Sequence, residues 1–364
     1  MEIRELTQES KDRLFINILR GVAVFLMIWG HCVQYCIPVG IDFFENFIFK
    51  FIYSFHMPLF MLISGYLFNS SLNKRSLNEI ITHRVSSLLY ITIAGGIFIW
   101  ILTSMIHNLM LRNVSILIDG KWLSSVTELW FIWSVLASTL IVSFAYKKIN
   151  NVYLRILVLI LGAGFTLVFP NGELNLYMYP YFLLGFLYSK YKEKFKSKII
   201  SVLKHLTIPV YIVLFMFFKK KYYIYLSGIF CNGYGGILNT IEINTFRWLI
   251  GLIGSIAIID ICKLIFDLFM KNKTTIPNNN PLEKLGEKSL QMYVLQTIFV
   301  SFWLSLLYDK VVSLLPAISE FFAQNIVIFN LLFSLGLAVI CSFVIYKVNK
   351  LLEYTKISKL IFKR

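Results

Sequence analysis

The feature that most limits how this chain can fold is its series of long apolar runs, which begins at Leu14 and recurs almost to the end. A membrane-crossing helix needs about 20 mostly apolar residues, and most of these runs reach or approach that length. Charged residues make up only 15% of the chain, against 58% hydrophobic residues. Soluble domains carry about 25% charged residues, so too few charges are present to cover a globular surface. The sequence therefore predicts an all-α, polytopic integral membrane protein.

About ten of these runs are candidate transmembrane helices, and the sixth and seventh of them are short. They are Leu14–Tyr35, Phe47–Phe68, Val85–Ile106, Leu129–Tyr146, Val152–Phe169, Leu174–Tyr188, Leu206–Phe218, Trp248–Leu268, Leu290–Tyr308 and Ile326–Tyr346. The sequence shows no internal repeat and no separate soluble domain. We therefore predict a single transmembrane domain over residues 1–364.

The connections between the runs alternate between basic and non-basic. The segment Ile37–Asn46 is acidic and has no Lys or Arg, whereas the next connection contains Lys74, Arg75 and Arg84. Lys and Arg accumulate in cytoplasmic loops, which places both termini in the cytoplasm. The same rule explains the net charge of +16 without a nucleic-acid partner. We interpret the Gly-rich segment Tyr222–Ile241 as an outer loop that can dip into the membrane.

Two ionisable side chains lie within the first run, where each costs roughly 2.5–3.5 kcal/mol on insertion. Arg20 and His31 are eleven residues apart, which at about 100° per residue brings them within about 20° of one helix face and about 16 Å apart along the axis. A guanidinium can bind phosphate with two hydrogen bonds, and a neutral imidazole can act as a general base. The pair equally allows Arg20 to reach the inner headgroups and His31 to cap the helix at the outer interface.

The second run contains Phe55-His56-Met57-Pro58. Pro58 removes a backbone hydrogen bond and predicts a kink or break in mid-membrane. The kink frees carbonyl groups, and His56 can donate to one of them. Further along, Ser64-Gly65 allows a neighbouring helix to approach closely. A purely structural kink explains these residues as well as a functional site does.

These segments resemble acyltransferase family 3, a family of membrane acyltransferases with about ten spans. The resemblance rests first on Arg20 to His31 and on Phe55-His56-Met57-Pro58-Leu59-Phe60 running into Ile63-Ser64-Gly65-Tyr66. Weaker matches follow in the family's order at Leu129-Trp130-Phe131, Phe182-Leu183-Leu184-Gly185-Phe186 and Leu285-Gly286-Glu287-Lys288-Ser289-Leu290-Gln291-Met292-Tyr293. The compact chain is similar to the branch of fucose 4-O-acetylase-like and exopolysaccharide acetyltransferases.

The resemblance implies transfer of an acyl group, usually acetyl from cytoplasmic acetyl-CoA, to a carbohydrate hydroxyl. It makes His31 the catalytic histidine and Arg20 its partner, and it implies a catalytic role also for His56, the histidine of the second motif. It also makes Arg84 the remainder of a basic cluster that binds the CoA phosphates. The chain departs from the family pattern at two positions, one often acidic and one often histidine, which are here Asn17 and Gln296.

Three further residues are candidates for binding the acceptor. Glu128 precedes Trp130 at the start of the fourth run, where its carboxylate can orient an acceptor or His31. Trp130 and Tyr293 can line a sugar pocket. A helix-start carboxylate favoured by the dipole and an aromatic belt at the interface explain the same residues without a ligand.

Polar residues of the eighth run are interpreted as structural. Arg247 directly precedes this run, and we interpret it as an interfacial anchor. Asp260 and Lys263 are three residues apart, a spacing that predicts a pair on one helix face.

We therefore predict an O-acetyltransferase of the bacterial cytoplasmic membrane that modifies a surface polysaccharide or its lipid-linked precursor. Arg20 and Arg84 are expected to hold the phosphates of acetyl-CoA, while His31 takes the proton from the acceptor hydroxyl. No permanently bound cofactor is expected, and the five cysteines lack metal-ligand spacing. Two other functions stay open. One is a non-catalytic transporter or polymer-export component, which also needs polar groups within the membrane. The other is an acyltransferase acting on a lipid or small molecule.

Overall fold

The computed structural model of this chain is almost entirely helical. The structure describes residues 4–5, 7–111, 122–195, 198–231, 233–271, 275–276 and 280–362. Its one strand pairing within those ranges joins Arg4–Glu5 to Thr275–Ile276 in antiparallel register, with Arg4 opposite Ile276. The prediction of an all-α polytopic membrane protein is confirmed.

The helices are numbered in chain order. The first nine are α1 (Gln8–Cys36), α2 (Phe47–Tyr53), α3 (His56–Lys74), α4 (Leu77–Glu79), α5 (Ser86–Leu111), α6 (Trp122–Glu128), α7 (Trp130–Lys148), α8 (Val152–Phe165) and α9 (Gly172–Tyr191). The others are α10 (Lys198–Met216), α11 (Ile224–Ser227), α12 (Gly236–Met270), α13 (Pro281–Glu287), α14 (Ser289–Gln296), α15 (Ser305–Leu314), α16 (Pro316–Gln324), α17 (Ile326–Ile328), α18 (Leu335–Glu353) and α19 (Lys356–Phe362). Wider π-helical turns occupy Ile80–Val85, Thr297–Leu304 and Phe329–Ser334. Tighter 3-10 turns occupy Phe43–Glu45, Thr166–Val168, Lys192–Phe195 and Lys220–Tyr222.

Seven helical stretches within the described ranges are long and apolar enough to cross a membrane. They are Gln8–Cys36, Phe47–Lys74, Leu77–Ile106, Trp130–Lys148, Gly236–Met270, Ser289–Leu314 and Ile326–Glu353. The shorter apolar helices Val152–Val168 and Leu206–Met216 coincide with the fifth and seventh predicted runs, and α9 coincides with the sixth. The number of helices that cross the membrane and the cytoplasmic position of both termini stay predictions.

The predicted outer loop Tyr222–Ile241 is partly wrong. Helix α12 begins at Gly236, so the last part of that loop is helical and the helix of the eighth run starts well before the predicted Trp248. The start of α12 is set by backbone conformation. Gly235 and Gly236 have φ of 70° and 69°, a conformation that favours glycine and does not continue a helix. Asn232 of this loop lies outside the described residues.

The chain divides into two compact units, each assembled from separate stretches of sequence. The first comprises Met1–His56, Ser201–Lys220 and Ile250–Leu351, and the second comprises Met57–Ile200, Lys221–Leu249 and Leu352–Arg364. The prediction of one transmembrane domain over residues 1–364 stays a prediction.

Helices α3 and α9 of the second unit touch backbone to backbone through two glycines. A Cβ on Gly65 would lie 1.9 Å from the carbonyl oxygen of Phe182, and a Cβ on Gly185 would lie 2.0 Å from that of Leu62. Small residues permit such crossings in membrane proteins. The close approach predicted from Ser64-Gly65 is therefore confirmed, and the helix that approaches carries the Phe182–Phe186 motif.

Candidate active site

Arg20 and His31 both lie on α1, which runs without interruption over Gln8–Cys36. The start of α1 is fixed by Thr7, whose hydroxyl accepts a hydrogen bond from the amide of Ser10 at 3.2 Å. Because the helix is continuous, the spacing of the two residues places them on one face, about 16 Å apart along the axis.

His31 is held through its Nδ1 atom. This atom lies 3.1 Å from Oε1 of Gln34, one turn further along α1, and 3.2 Å from the hydroxyl of Tyr53 on α2. The Tyr53 hydroxyl also donates to the same Gln34 oxygen at 3.1 Å. The Tyr35 ring stacks on the imidazole, with centroids 5.9 Å apart. Among the residues that the structure describes, none hydrogen-bonds to Nε2 of His31, which leaves this nitrogen for a substrate.

Gln34 and Tyr53 were not singled out from the sequence. Gln34 could have been identified from the sequence as a neighbour of His31, because a residue three positions after His31 lies on the same face of a helix. Tyr53 could not, because its contact depends on how α2 lies against α1. Gly30 allows that approach, since a Cβ there would lie 2.8 Å from Cε2 of Tyr53 and 3.3 Å from Cγ2 of Ile52.

The kink or break predicted at Pro58 takes the form of a two-residue interruption, at Ser54 and Phe55, within the helical stretch Phe47–Lys74. Helix α2 ends at Tyr53 and α3 begins at His56, so Pro58 falls in the first turn of α3, where a helix tolerates a missing N–H. His56 is only 2% exposed, and its Nδ1 lies 2.9 Å from the carbonyl oxygen of Ile52. A carbonyl can only accept a hydrogen bond, so Nδ1 of His56 carries the hydrogen. This agrees with the prediction that His56 donates to a carbonyl group freed by the break. The His56 ring lies 4.5 Å from that of Tyr53, which is thus a neighbour of both His56 and His31.

Other carbonyl groups near the break are satisfied by the hydroxyl group of Ser54 in the break itself and by hydroxyl groups of neighbouring helices. The carbonyl of Phe51 accepts from Ser54 at 2.8 Å and from Tyr211 at 3.4 Å. The carbonyl of Phe55 accepts from Ser255 at 3.2 Å. Irregular backbone is tolerated at membrane depth when protein groups satisfy it in this way. The break is therefore a stable feature that holds Tyr53 and His56 in place.

Arg20 lies where α1 meets the junction of α13 and α14. Its Nη2 donates to Oγ of Ser289 at 2.6 Å, and Ser289 is the first residue of α14. The two segments approach closely because a Cβ on Gly286 would lie 1.8 Å from the carbonyl oxygen of Asn17. The Leu285–Tyr293 motif thus packs against the first-helix motif. A guanidinium can bind an anion, and here the carboxylate of Glu287 also interacts electrostatically with Arg20.

Arg84 belongs to the second unit and lies in the π-helical turn Ile80–Val85. Its Nη1 donates to Oγ of Ser71 at 3.2 Å, and its guanidinium lies 4.9 Å from the centre of the Phe68 ring. These contacts join the start of the third run to the end of α3 and include a cation–π interaction. The role of Arg84 in binding CoA phosphates stays a prediction.

The three predicted acceptor-binding residues divide between the two units. Glu128 ends α6 and Trp130 begins α7 in the second unit, whereas Tyr293 lies on α14 in the first. Partial desolvation raises the pKa of the Glu128 carboxyl above its ordinary value. Trp130 packs edge to face on Tyr225, with centroids 6.0 Å apart. Their role in binding an acceptor stays a prediction.

The interpretation of Arg247 as an interfacial anchor is wrong. Its side chain is 1% exposed and lies inside the second unit. It donates to the carbonyl of Gly228 at 2.7 Å, to the hydroxyl of Ser227, and to the carbonyl of Lys221 at 3.4 Å. The guanidinium therefore fastens the turn that precedes α12 onto that helix. Arg247 is buried because the backbone carbonyls of this turn belong to no regular helix or strand and need hydrogen-bond donors. One guanidinium supplies several of these donors.

The predicted pair of Asp260 and Lys263 is also wrong. Asp260 accepts from the hydroxyl of Thr207 at 3.1 Å, and Lys263 pairs with Asp267 at 2.9 Å. An i,i+4 spacing lets these long side chains meet on one helix face. Across the described ranges, no group of three or more His, Cys, Asp or Glu side chains could hold a metal ion.

The chain is similar to a known family and to curated proteins. A family model described as an acyltransferase domain matches residues 13–347. The nodulation protein NolL of Mesorhizobium japonicum is 31% identical over 184 residues, which are 49% of this chain and 48% of that protein. NolL of Sinorhizobium fredii is 30% identical over 195 residues, which are 51% of this chain and 50% of that protein. The chain thus spans about half the length of the curated relatives it matches. No solved structure matches it.

Proposed function

Because this chain belongs to acyltransferase family 3, we propose that it is a membrane O-acetyltransferase that uses cytoplasmic acetyl-CoA. Its acceptor is a hydroxyl group of a bacterial surface polysaccharide or of the lipid-linked precursor, and its location is the cytoplasmic membrane. The observation that supports this proposal best is the arrangement on α1, where His31 keeps Nε2 available and Arg20 lies about 16 Å nearer the N-terminus.

His31 serves as the general base of the reaction. Its Nε2 accepts the proton of the acceptor hydroxyl while the hydroxyl oxygen forms a bond to the thioester carbonyl carbon. The C–S bond then breaks with its electron pair on sulfur. Coenzyme A leaves as a thiol after taking the proton from the His31 imidazolium, and the histidine returns to its neutral form. The acceptor leaves as an acetate ester.

Arg20 binds the phosphates of the donor. A guanidinium can hold a phosphate through two parallel hydrogen bonds. Ser289, which receives a hydrogen bond from Arg20 at 2.6 Å, orients the guanidinium. The pantetheine arm of CoA then extends from the phosphates toward His31. Arg84 is a separate candidate for phosphate binding and is tested by its own substitution.

The proposal is tested by replacing His31 in cells that lack the natural copy of the protein. Wild type should restore ester-linked acetyl groups on the surface polysaccharide, measured by proton NMR. His31→Ala at equal membrane abundance should restore none, while the purified variant still binds radiolabelled acetyl-CoA. Full acetylation by His31→Ala would contradict the role of His31. Polysaccharide that is fully acetylated without this protein would contradict the function, and polysaccharide that fails to leave the cell would favour a transporter.

A further inference from the structure

We propose that Gln34 and Tyr53 fix the tautomer of His31, so that its hydrogen lies on Nδ1 and Nε2 presents a lone pair to the acceptor hydroxyl. The catalytic meaning of this arrangement rests on the proposed function. The tautomer itself is a property of the chain that can be measured without any substrate.

Three short distances define the arrangement. Nδ1 of His31, Oε1 of Gln34 and the hydroxyl oxygen of Tyr53 form a triangle with sides of 3.1, 3.2 and 3.1 Å. The amide oxygen can only accept, the tyrosine has one hydrogen to donate, and a neutral imidazole nitrogen either donates or accepts. The positions of the Tyr53 hydroxyl hydrogen and of the His31 imidazole hydrogen therefore decide which of the three contacts are hydrogen bonds.

A hydrogen on Nδ1 makes all three contacts favourable. Tyr53 donates to the Gln34 oxygen, and the Nδ1 hydrogen is shared between that oxygen and the oxygen of Tyr53. A hydrogen on Nε2 instead allows only one favourable contact, from the Tyr53 hydroxyl to Nδ1. The Gln34 oxygen would then face two other acceptors at 3.1 Å without a hydrogen between them. The first arrangement is favoured by at least one hydrogen bond, which corresponds to a tautomer ratio of about tenfold.

The helix backbone fixes the spacing of His31 and Gln34, and packing holds Tyr53. Gln34 shares α1 with His31. The Tyr53 ring is stacked on Phe49 with centroids 3.8 Å apart, and it lies against Gly30, where any Cβ would come within 2.8 Å of it. Gln34 and Tyr53 are therefore positioning residues that act through His31.

The double variant of Gln34 and Tyr53 should have a tautomer ratio closer to that of wild type than the single variant Gln34→Leu has. Tyr53→Phe keeps the ring and leaves the bond between His31 and Gln34, so the Nδ1–H tautomer should persist. Gln34→Leu removes the acceptor and frees the Tyr53 hydroxyl to donate to Nδ1, which moves the hydrogen to Nε2. Adding Tyr53→Phe to Gln34→Leu removes that donor, so the double variant should recover part of the Nδ1–H form.

The tautomer is measured by nitrogen NMR on purified protein with labelled histidine, at about pH 8, where histidine is ordinarily neutral. His31→Ala assigns the His31 signals among those of the five histidines. Wild type should show Nδ1–H in about tenfold excess over Nε2–H, Gln34→Leu should reverse the preference, and the double variant should return toward wild type. An Nε2–H tautomer in wild type, or an unchanged ratio in Gln34→Leu, would overturn the proposal. The wild-type measurement decides the matter even if a variant fails to fold.

Acetyl transfer provides the second measurement. In the cell-based assay of surface-polysaccharide acetylation, Gln34→Leu should reduce acetylation about tenfold, the factor expected from one hydrogen bond, with unchanged binding of acetyl-CoA. The double variant should be more active than Gln34→Leu, which loss of packing would not produce. Gln324→Leu, at an exposed site on α16, is the matched control and should be as active as wild type. Absence of transfer by wild type would refute the proposed function alone, whereas full transfer by Gln34→Leu would refute the role of Gln34 alone.

Discussion

Gly21 on α1 lies directly against the backbone of α13, so that a Cβ at Gly21 would stand 1.9 Å from the carbonyl oxygen of Leu282. That oxygen belongs to the main chain and cannot rotate away. The crossing of α1 and α13 is therefore possible only with glycine at this position. The same crossing brings Ser289 to Arg20, so the proposed donor-binding surface depends on a residue that has no side chain.

Gly21→Ala should therefore destabilise the protein and weaken acetyl-CoA binding together. Overpacking of this kind costs about 1–3 kcal/mol or more, although alanine is ordinarily the better helix former. Gly336→Ala is the matched control, because Gly336 lies in α18 and a Cβ there would meet nothing within 4 Å. Thermal unfolding in detergent should show a lower midpoint for Gly21→Ala only. Equal midpoints for the two variants would contradict the backbone contact.

Arg20 is predicted to act on the donor rather than on the acceptor. It is about 16 Å from His31 along α1, too far to touch a hydroxyl that His31 deprotonates. Arg20→Ala should weaken binding of acetyl-CoA by about 1.5–3 kcal/mol, the contribution of a charge-assisted hydrogen bond. Arg20→Lys keeps the charge but loses the bidentate geometry, so its loss should be smaller.

Direct binding measurements on purified protein test the role of Arg20. Arg75→Ala, at an exposed position, is the control and should bind acetyl-CoA as wild type does. His31→Ala should also change this binding little. Unchanged binding by Arg20→Ala would show that Arg20 anchors the helix at the headgroups instead.

The sequence predicted those parts of the site that depend on local geometry. The common face of Arg20 and His31 follows from helix periodicity, and the break at Pro58 follows from its missing N–H. The contact between Tyr53 and His31 could not be predicted in this way. It depends on the register of two helices and on the space that Gly30 leaves between them.

For Arg247 the local sequence pattern predicted a role that the structure contradicts. A guanidinium at the edge of an apolar run is ordinarily an interfacial anchor, and the predicted eighth run begins at the next residue, Trp248. The helix continues past it because the carbonyl of Gly228 and its neighbours satisfy the charge. Gly228 lies 19 residues earlier, and no local pattern links the two positions.

Replacing Arg247 should therefore loosen the turn that precedes α12. Arg247→Leu removes the charged donor of the Gly228 carbonyl and of the Ser227 hydroxyl, and loss of a hydrogen bond to a charged group costs about 1.5–3 kcal/mol. The free energy of unfolding should fall by about that amount or more, with faster protease cleavage in residues 218–231. Arg75→Leu, at an exposed position, should change it by less than about 0.5 kcal/mol. Similar values for both variants would show that the buried hydrogen bonds are not needed.

Asp42 should make stability depend on pH. Its carboxylate accepts from Nζ of Lys220 and from the amide of Phe44 at 3.0 Å, and the Lys220 contact is the main cause that lowers the Asp42 pKa. A carboxyl with a lowered pKa in the folded state stabilises the protein above its ordinary pKa of about 3.9. That contribution is lost as the pH falls through the folded value.

Asp42→Asn should accordingly lower the unfolding midpoint at pH 7. The difference in midpoint between wild type and this variant should become smaller below about pH 4. The side chains of Asp42 and Lys220 are 38% and 47% exposed, so the effect should be about 0.2–1 kcal/mol at low salt. Asp309→Asn removes a carboxyl at an exposed position that has no hydrogen bond among the described residues, and it is the control. A constant difference between wild type and Asp42→Asn at all pH values would contradict the ion pair.

Orientation in the membrane is predicted from charge alone and can be measured by cysteine labelling. In a background without the five native cysteines, Val39→Cys and Tyr234→Cys should react with an impermeant maleimide added outside the cell. Val39 is 72% exposed in the Ile37–Asn46 connection, which has no Lys or Arg and is expected outside. Lys74→Cys should react only after the membrane is permeabilised. External labelling at Lys74 would reverse the orientation, whereas labelling of Tyr234 only from inside would show that the seventh run does not cross.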